Sequence, residues 1–288
     1  MAFYGRLYKI LALFSFNIVI RLIMHLSDKQ LKKLETTAND IRKDIIKMLL
    51  KAGSGHSAGP LGMADVFTAL YFHVLNHKPK KPDWPDRDRF VLSNGHICPV
   101  QYAAMAHVGY FPKKELMTLR QYGTRLQGHP HRASLPGIEV TSGPLGEGIS
   151  QACGIAYAGK MDKKKWNVYC VMGDGELQEG ICWEAFMFAG KHKLANLTVI
   201  VDRNNIQIDG ATEDVMPLEP LRAKFESFGW YVLDIDGNNI AEVVSACGQA
   251  KAVTEKPVAI LAHTIPGKGV DFMEYDFAWH GKPPNAEE

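Results

Sequence analysis

The stretch Val171 to Gly180, VMGDGELQEG, ends a short apolar run on a carboxylate held between two glycines. The run it closes, WNVYCVM, is short, apolar and bounded by turn residues, which reads as a buried strand with Asp174 at its C-terminal mouth. Outward from it the pattern repeats. LGEGISQACGIAYAGKM before it predicts a helix, GICWEAFMFAGKHK after it a second, and LTVIVD another strand. LEPLRAKFESFG, WYVLDI, IAEVVSACGQAKAV and PVAILAH continue as helix, strand, helix, strand. Strands alternating with helices imply an α/β fold, a mostly parallel sheet covered by helices on both faces.

Upstream, Leu31, Leu34, Ile41, Ile45 and Leu49 fall near helical spacing between a Ser27/Asp28 cap and Gly53. The glycine-rich GSGHSAGPLG then reads as a loop before a second helix in MADVFTALYFHVL. NHKPKKPDWPDRDR reads as a basic surface loop leading to a short strand, FVLS, and a turn, NGH. No repeat and no linker interrupts the chain, so residues 27–288 form one domain preceded by an extension at 1–26. Within that extension the apolar run Ile10 to Ile20 is 11 residues long, too short for a stable membrane span of about 30 Å. It reads as an upstream or mis-assigned start, or else as a short interfacial helix.

Composition excludes several classes. The chain has 288 residues, 46% hydrophobic and 22% charged, enough to bury a full core. With 33 basic and 31 acidic residues the net charge is +2, which provides no field for nucleic acid. The five cysteines are odd in number, widely spaced and without a C-x-x-C pair. They fit core thiols in a reducing cytoplasm. No G-x-G-x-x-G follows a first strand, which removes support for a dinucleotide fold.

In a right-handed strand-helix-strand unit the two parallel strands open on the same sheet edge. GDG follows the first strand and VDRNN ends the second, with 28 residues between GDG and the Asn204-Asn205 pair. Adjacent strands lie about 4.8 Å apart, so the Asp174 carboxylate and an asparagine amide can reach one hard cation. Mg²⁺ or Ca²⁺ suits such oxygens, and two ligands are too sparse for a closed cage, so a diphosphate should supply others. Four histidines also sit beside glycine in turns that can converge: His56, His96, His129 and His280. Imidazoles near neutral pH can donate, accept or carry charge to a polyol or a diphosphate.

GDG, 28 residues and NN resemble the thiamine diphosphate motif. The surrounding SGHSAGPLGMA, LSNGH, QGHP, LPGIEVTSGPLGEGIS, GDGELQEGICWEA, VDRNNIQIDG and WHGKPP, in that order, resemble the transketolase family over nearly the whole chain from about residue 30. The resemblance implies the thiamine diphosphate-binding (PP-type) fold. It places a metal, Mg²⁺ with Ca²⁺ or Mn²⁺ as alternatives, on Asp174, the Asn204 side chain and the Ile206 carbonyl. It places Gly175 against the diphosphate, and Gly143 and Leu145 against the aminopyrimidine. His56 and His129 would contact substrate hydroxyls, His96 the diphosphate region, and His280 the cofactor phosphates or the acceptor's way in. His56, His129 and His280 are the catalytic candidates, with His56 and His280 also counted toward the cofactor. Glu179 has two readings, a charge at a helix start or a group in the cofactor site or a subunit contact.

Relatives of this kind normally carry two further domains, including a glutamate that faces the pyrimidine ring. The resemblance therefore implies an N-terminal subunit of a split transketolase, acting in the pentose phosphate pathway. Its partner would carry the pyrimidine-binding and C-terminal domains, in an α2β2 assembly that uses sugar phosphates. Ile181, Trp183 and Phe186, after the GDG loop, are candidates for an apolar face covered by that partner, with core packing the more frequent explanation for any one of them. The alternatives are a ketol transferase of the 1-deoxyxylulose-phosphate synthase kind and a subunit that binds cofactor without catalysis.

Overall fold

The computed structural model describes residues 26–288, so the extension, with its Ile10 to Ile20 run, lies outside the described residues except for Leu26. Helix α1 (Asp28–Ala52) begins where the sequence places its cap. Ser27 Oγ accepts from the Gln30 amide, and the Gln30 side chain accepts from the Ser27 amide at 3.0 Å. This reciprocal box satisfies two N–H groups that a helix start leaves bare. Gly53 ends the helix at φ +64°, a left-handed conformation that costs glycine little. Leu34, Ala38, Ile41, Ile45 and Leu49 form the buried stripe.

The glycine-rich loop is not wholly a loop, because Ala58–Gly62 closes one helical turn (α2). The MADVFTALYFHVL segment is not one regular helix. It divides into α3 (Ala64–Ala69) and a π-helical turn over Leu70–Val74. Strand β1 (Arg89–Leu92) leads through a single 3₁₀ turn, Gly95–Ile97, into a helix the periodicity did not reveal, α4 (Cys98–Val108). Nearly all of α4 is buried, so it lacks the polar face that makes a helix visible in sequence. Pro99 in its first turn was the available signal.

The remaining elements alternate as expected: α5 (Glu147–Met161), β2 (Val168–Gly173), α6 (Gly180–Lys191) and β3 (Leu197–Arg203). A small hairpin, β4 (Ile206–Gln207) with β5 (Gly210–Ala211), and the short α7 (Thr212–Val215) follow. Then come α8 (Leu221–Ser227), β6 (Tyr231–Asp236), α9 (Ile240–Ala252) and β7 (Val258–His263). The five long strands form one parallel sheet in the order β1-β2-β3-β7-β6.

Alternation along the strands divides the core in two. Tyr169, Val171, Ile200 and Ile260 face α1, α3, α4 and α9. Val168, Cys170, Met172, Val199, Val201 and Leu261 face α5, α6 and α8. Each fully buried aliphatic side chain contributes roughly 1.5–3 kcal/mol, and burial on both faces leaves the strand tips as the place for polar chemistry. All five cysteines are free and buried. Among the described residues no helix is long and apolar enough to cross a membrane.

Candidate active site

Strands β2 and β3 are neighbours with Gly173 opposite Asp202, so their C-terminal tips lie side by side. Asp174 is 1% exposed. Its Oδ1 accepts from the Gly175 amide at 2.8 Å, and its Oδ2 from the Asn205 amide at 2.7 Å and Arg203 Nη1 at 3.1 Å. Asn205 turns the chain at φ +63°. Asn204 Oδ1 accepts from the Ile206 amide at 3.0 Å, and its Nδ2 donates to Asp202 Oδ2 at 2.9 Å. The other Asp202 oxygen accepts from the Thr264 hydroxyl, just past β7. Burial pushes Asp174 up to about 6 against the pull of Arg203. It pushes Asp202 up to about 7, with the Asp174 charge adding to the rise.

These tips line a cavity of about 190 Å³. Asp174, Gly175, Glu179, Asn204 and Ile206 form one side, and Leu145, His96 and His280 complete it. Glu179 occupies the position before α6, makes no side-chain cap bond there and lines the cavity.

Three of the four glycine-flanked histidines converge. Ring centroids lie 4.8 Å apart for His56 and His96, 5.5 Å for His56 and His280, and 5.2 Å for His96 and His280. The Ser57 hydroxyl donates to the Lys282 carbonyl at 2.6 Å, tying the first histidine loop to the last. Burial lowers all three imidazoles: His56 to about 4, His96 well below its ordinary value, and His280 in the same direction. The neighbouring rings add to the fall of His56 and His96. Neutral imidazole has one donor and one acceptor nitrogen, and the buried Nδ1 atoms of His56 and His280 have no hydrogen-bond partner among the described residues.

His129 stands apart from that triangle. It opens into an adjoining cleft of about 560 Å³ with Arg120 and Ser142. Burial lowers its pKa first, and the charge of Arg120 next. Gly143 lies against it, since a Cβ there would sit 3.7 Å from the His129 ring. Of the histidines outside the set, His263 ends β7 in a surface pair with Asp234 at 3.2 Å.

Three further groups were not read from sequence. Arg203 is buried and binds Asp174, Thr212, Glu213 and Glu219 together. Asp202 and Glu176 both share the cavity wall, and Glu176, buried, is pushed up to about 7 by desolvation. Two of the three lie inside VDRNN and one inside GDGELQEG, so position was legible and only role was not. The apolar candidates after GDG need correction. Phe186 is fully buried, and Trp183 packs inward with its Nε1 donating to the Leu177 carbonyl at 2.8 Å. Ile181 is exposed, as are Met187 and Phe188 farther along α6.

Residues 34–288 match the family described as transketolase, thiamine diphosphate binding domain, and the chain belongs to that family. It is 46% identical to a 6-deoxy-6-sulfo-D-fructose transketolase subunit of a Clostridium species, over 88% of this chain and 92% of that one. It is 40% identical to one subunit of the apulose-4-phosphate transketolase of Phocaeicola vulgatus, over 90% of this chain and 92% of that one. The solved transketolase of Campylobacter jejuni superposes with a TM-score of 0.82 at 39% identity, covering 87% of this chain and 40% of that one. The chain therefore spans about two-fifths of single-chain transketolases and most of the two subunits.

Proposed function

We propose that residues 27–288 form the thiamine diphosphate-binding domain of a transketolase subunit. With a partner chain carrying the pyrimidine-binding and C-terminal domains, it would transfer a two-carbon ketol unit from a ketose phosphate to an aldose phosphate. The observation that carries this reading is the convergence of Asp174, Asn204 and Ile206 with His96 and His280 on one small cavity, His56 packing against both of those desolvated rings. Two relatives of matching length are themselves named as subunits, which supports a two-chain enzyme, with α2β2 as the simplest assembly. Five buried thiols fit a cytoplasmic setting.

The donor set suits a hard divalent cation. Among the described residues no three His, Cys, Asp or Glu side chains converge on a metal position. The Asp174 carboxylate, the Asn204 amide oxygen and the Ile206 carbonyl would hold Mg²⁺, Ca²⁺ or Mn²⁺ with positions left for diphosphate oxygens. Gly175 would approach the diphosphate, and Leu145 with Gly143 the aminopyrimidine. Thiamine diphosphate supplies the nucleophilic carbon and the electron sink for ketol cleavage.

The chain's own part is to bind, orient and exclude water. His56 and His280 present unpartnered nitrogens inside the protein, each able to accept a hydroxyl proton or donate to a phosphate oxygen. Their lowered pKa values keep them neutral, so one ring can serve either role near pH 7. His96 would orient toward the diphosphate region. His129, facing the wider cleft with Arg120, would meet substrate hydroxyls on the way in. Glu179 would contribute at the cavity wall or a subunit contact.

The test is ketol transfer by this chain co-expressed with a partner carrying the complementary domains, with Mg²⁺ and thiamine diphosphate added. Activity that needs both chains and disappears in Asp174→Ala supports the proposal. Turnover by this chain alone overturns its two-chain form.

A further inference from the structure

Glu176 is 2% exposed, and its carboxylate joins three segments that meet only at the strand tips. Its Oε1 accepts from the Ser93 hydroxyl at 2.5 Å and the Gly146 amide at 2.7 Å. Its Oε2 faces the Gly173 amide at 3.2 Å. Ser93 leads from β1 toward His96, Gly146 ends the loop that holds Gly143 and Leu145, and Gly173 opens the GDG turn. That loop has no slack. Gly146 sits at φ +82°, where a Cβ would lie 2.5 Å from Ile181 Cγ2, and a Cβ on Gly148 would lie 2.5 Å from Ser93 Oγ.

We propose that Glu176 is the positioning residue that fixes the 143–146 loop and the start of α5 against the β1 and β2 tips and so sets the half of the site that receives the aromatic ring. The diphosphate half touches Glu176 only through the Gly173 amide and is held mainly by the Asp174, Asn205 and Asn204 contacts. Carboxylate acceptors strengthen the bonds they receive, and burial makes an unmet amide costly. Glu176 therefore aligns Leu145 from the cavity wall, through the Gly146 amide. This role rests on the functional reading above for its ligand, though not for its geometry.

Glu176→Gln keeps the shape while replacing one acceptor oxygen with a donor, and with the Ser93 hydroxyl able to accept from the new NH2 at the Oε1 position, the Gly146 amide loses its partner. Amide hydrogen exchange on the full chain reads the geometry directly. The amides of Leu145 to Gly148 should exchange about tenfold faster in the variant while those of α1 hold their wild-type rates. Calorimetry of the two-chain enzyme then divides the site by ligand. With Mg²⁺ present, thiamine diphosphate should bind about tenfold more weakly to the variant and inorganic pyrophosphate within about twofold of wild type. Ser93→Ala, which removes one donor only, should show a smaller loss with the same selectivity.

Unchanged exchange at 145–148, or equal weakening for both ligands, overturns the proposal. If the wild-type two-chain enzyme takes up pyrophosphate and no thiamine diphosphate, the functional reading fails, and the exchange rates still decide the role of Glu176.

Discussion

The two ends of the cavity are finished to different degrees. At the strand tips each oxygen of Asp174 and Asp202 has a partner from the chain. At the histidine triangle, buried Nδ1 atoms of His56 and His280 have none among the described residues. A carboxylate in the interior without donors costs several kcal/mol, so the tip has to be internally satisfied to fold. Neutral imidazole is cheaper to bury, and two of these rings keep a buried nitrogen that no described residue satisfies. The tip is thus a rigid seat, and the triangle is a set of hands.

The largest effect should come from removing what makes the seat rigid. Arg203→Met strips Asp174 of its guanidinium while leaving the carboxylate buried, and should lower unfolding free energy by roughly 3–5 kcal/mol in urea. A loss under about 1 kcal/mol would mean that the amides of Gly175 and Asn205 suffice. Next, Asp174→Asn keeps the shape and removes the charge. Mg²⁺-dependent thiamine diphosphate binding should weaken roughly a hundredfold, about 2.7 kcal/mol, by titration calorimetry.

A smaller and differently distributed loss is expected at the triangle. His280→Asn should leave Mg²⁺-pyrophosphate affinity within about twofold and lower kcat of the two-chain enzyme by about tenfold to a hundredfold. Equal losses in both measurements would erase the distinction between the two ends.

The smallest effect is in the pH dependence of stability. The folded pKa of His56, about 4, lies below the value of a free imidazole, about 6.5. The unfolded chain therefore binds more protons between those values, and the His56 contribution is present above pH 6.5 and lost as pH falls toward 4. Asp174, Asp202 and Glu176 run the other way, being raised, and they are common to wild type and variant. The Tm of His56→Asn relative to wild type should accordingly climb as pH drops from about 6.5 to 4.5. A constant difference would show that His56 remains solvated.

Much of this arrangement was legible in the sequence. Strands with apolar cores and glycine-bounded ends fixed the sheet's parallel class, and the 28-residue interval placed Asp174 beside Asn204. What escaped was of two kinds. Helix α4 has no polar face and so no periodicity to detect. Arg203, Asp202 and Glu176 are charged residues within motifs, and a charge reads as solvated unless its burial is known. The histidines illustrate the limit differently. Adjacency to glycine marked all four, yet only the fold separates His129, in the broad cleft, from the three packed rings.

The bond from Ser57 Oγ to the Lys282 carbonyl spans 225 positions. A ribosome must deliver the chain as far as Lys282 before the triangle can close, and such distant pairings are slow to form. The nascent chain can build the α1 to α4 packing early, while its imidazoles remain hydrated and protonatable until the last loop arrives. Ligand competence is therefore a late event in the protein's life, and a stalled or clipped product would look folded by helix content and still be unable to grip its cargo.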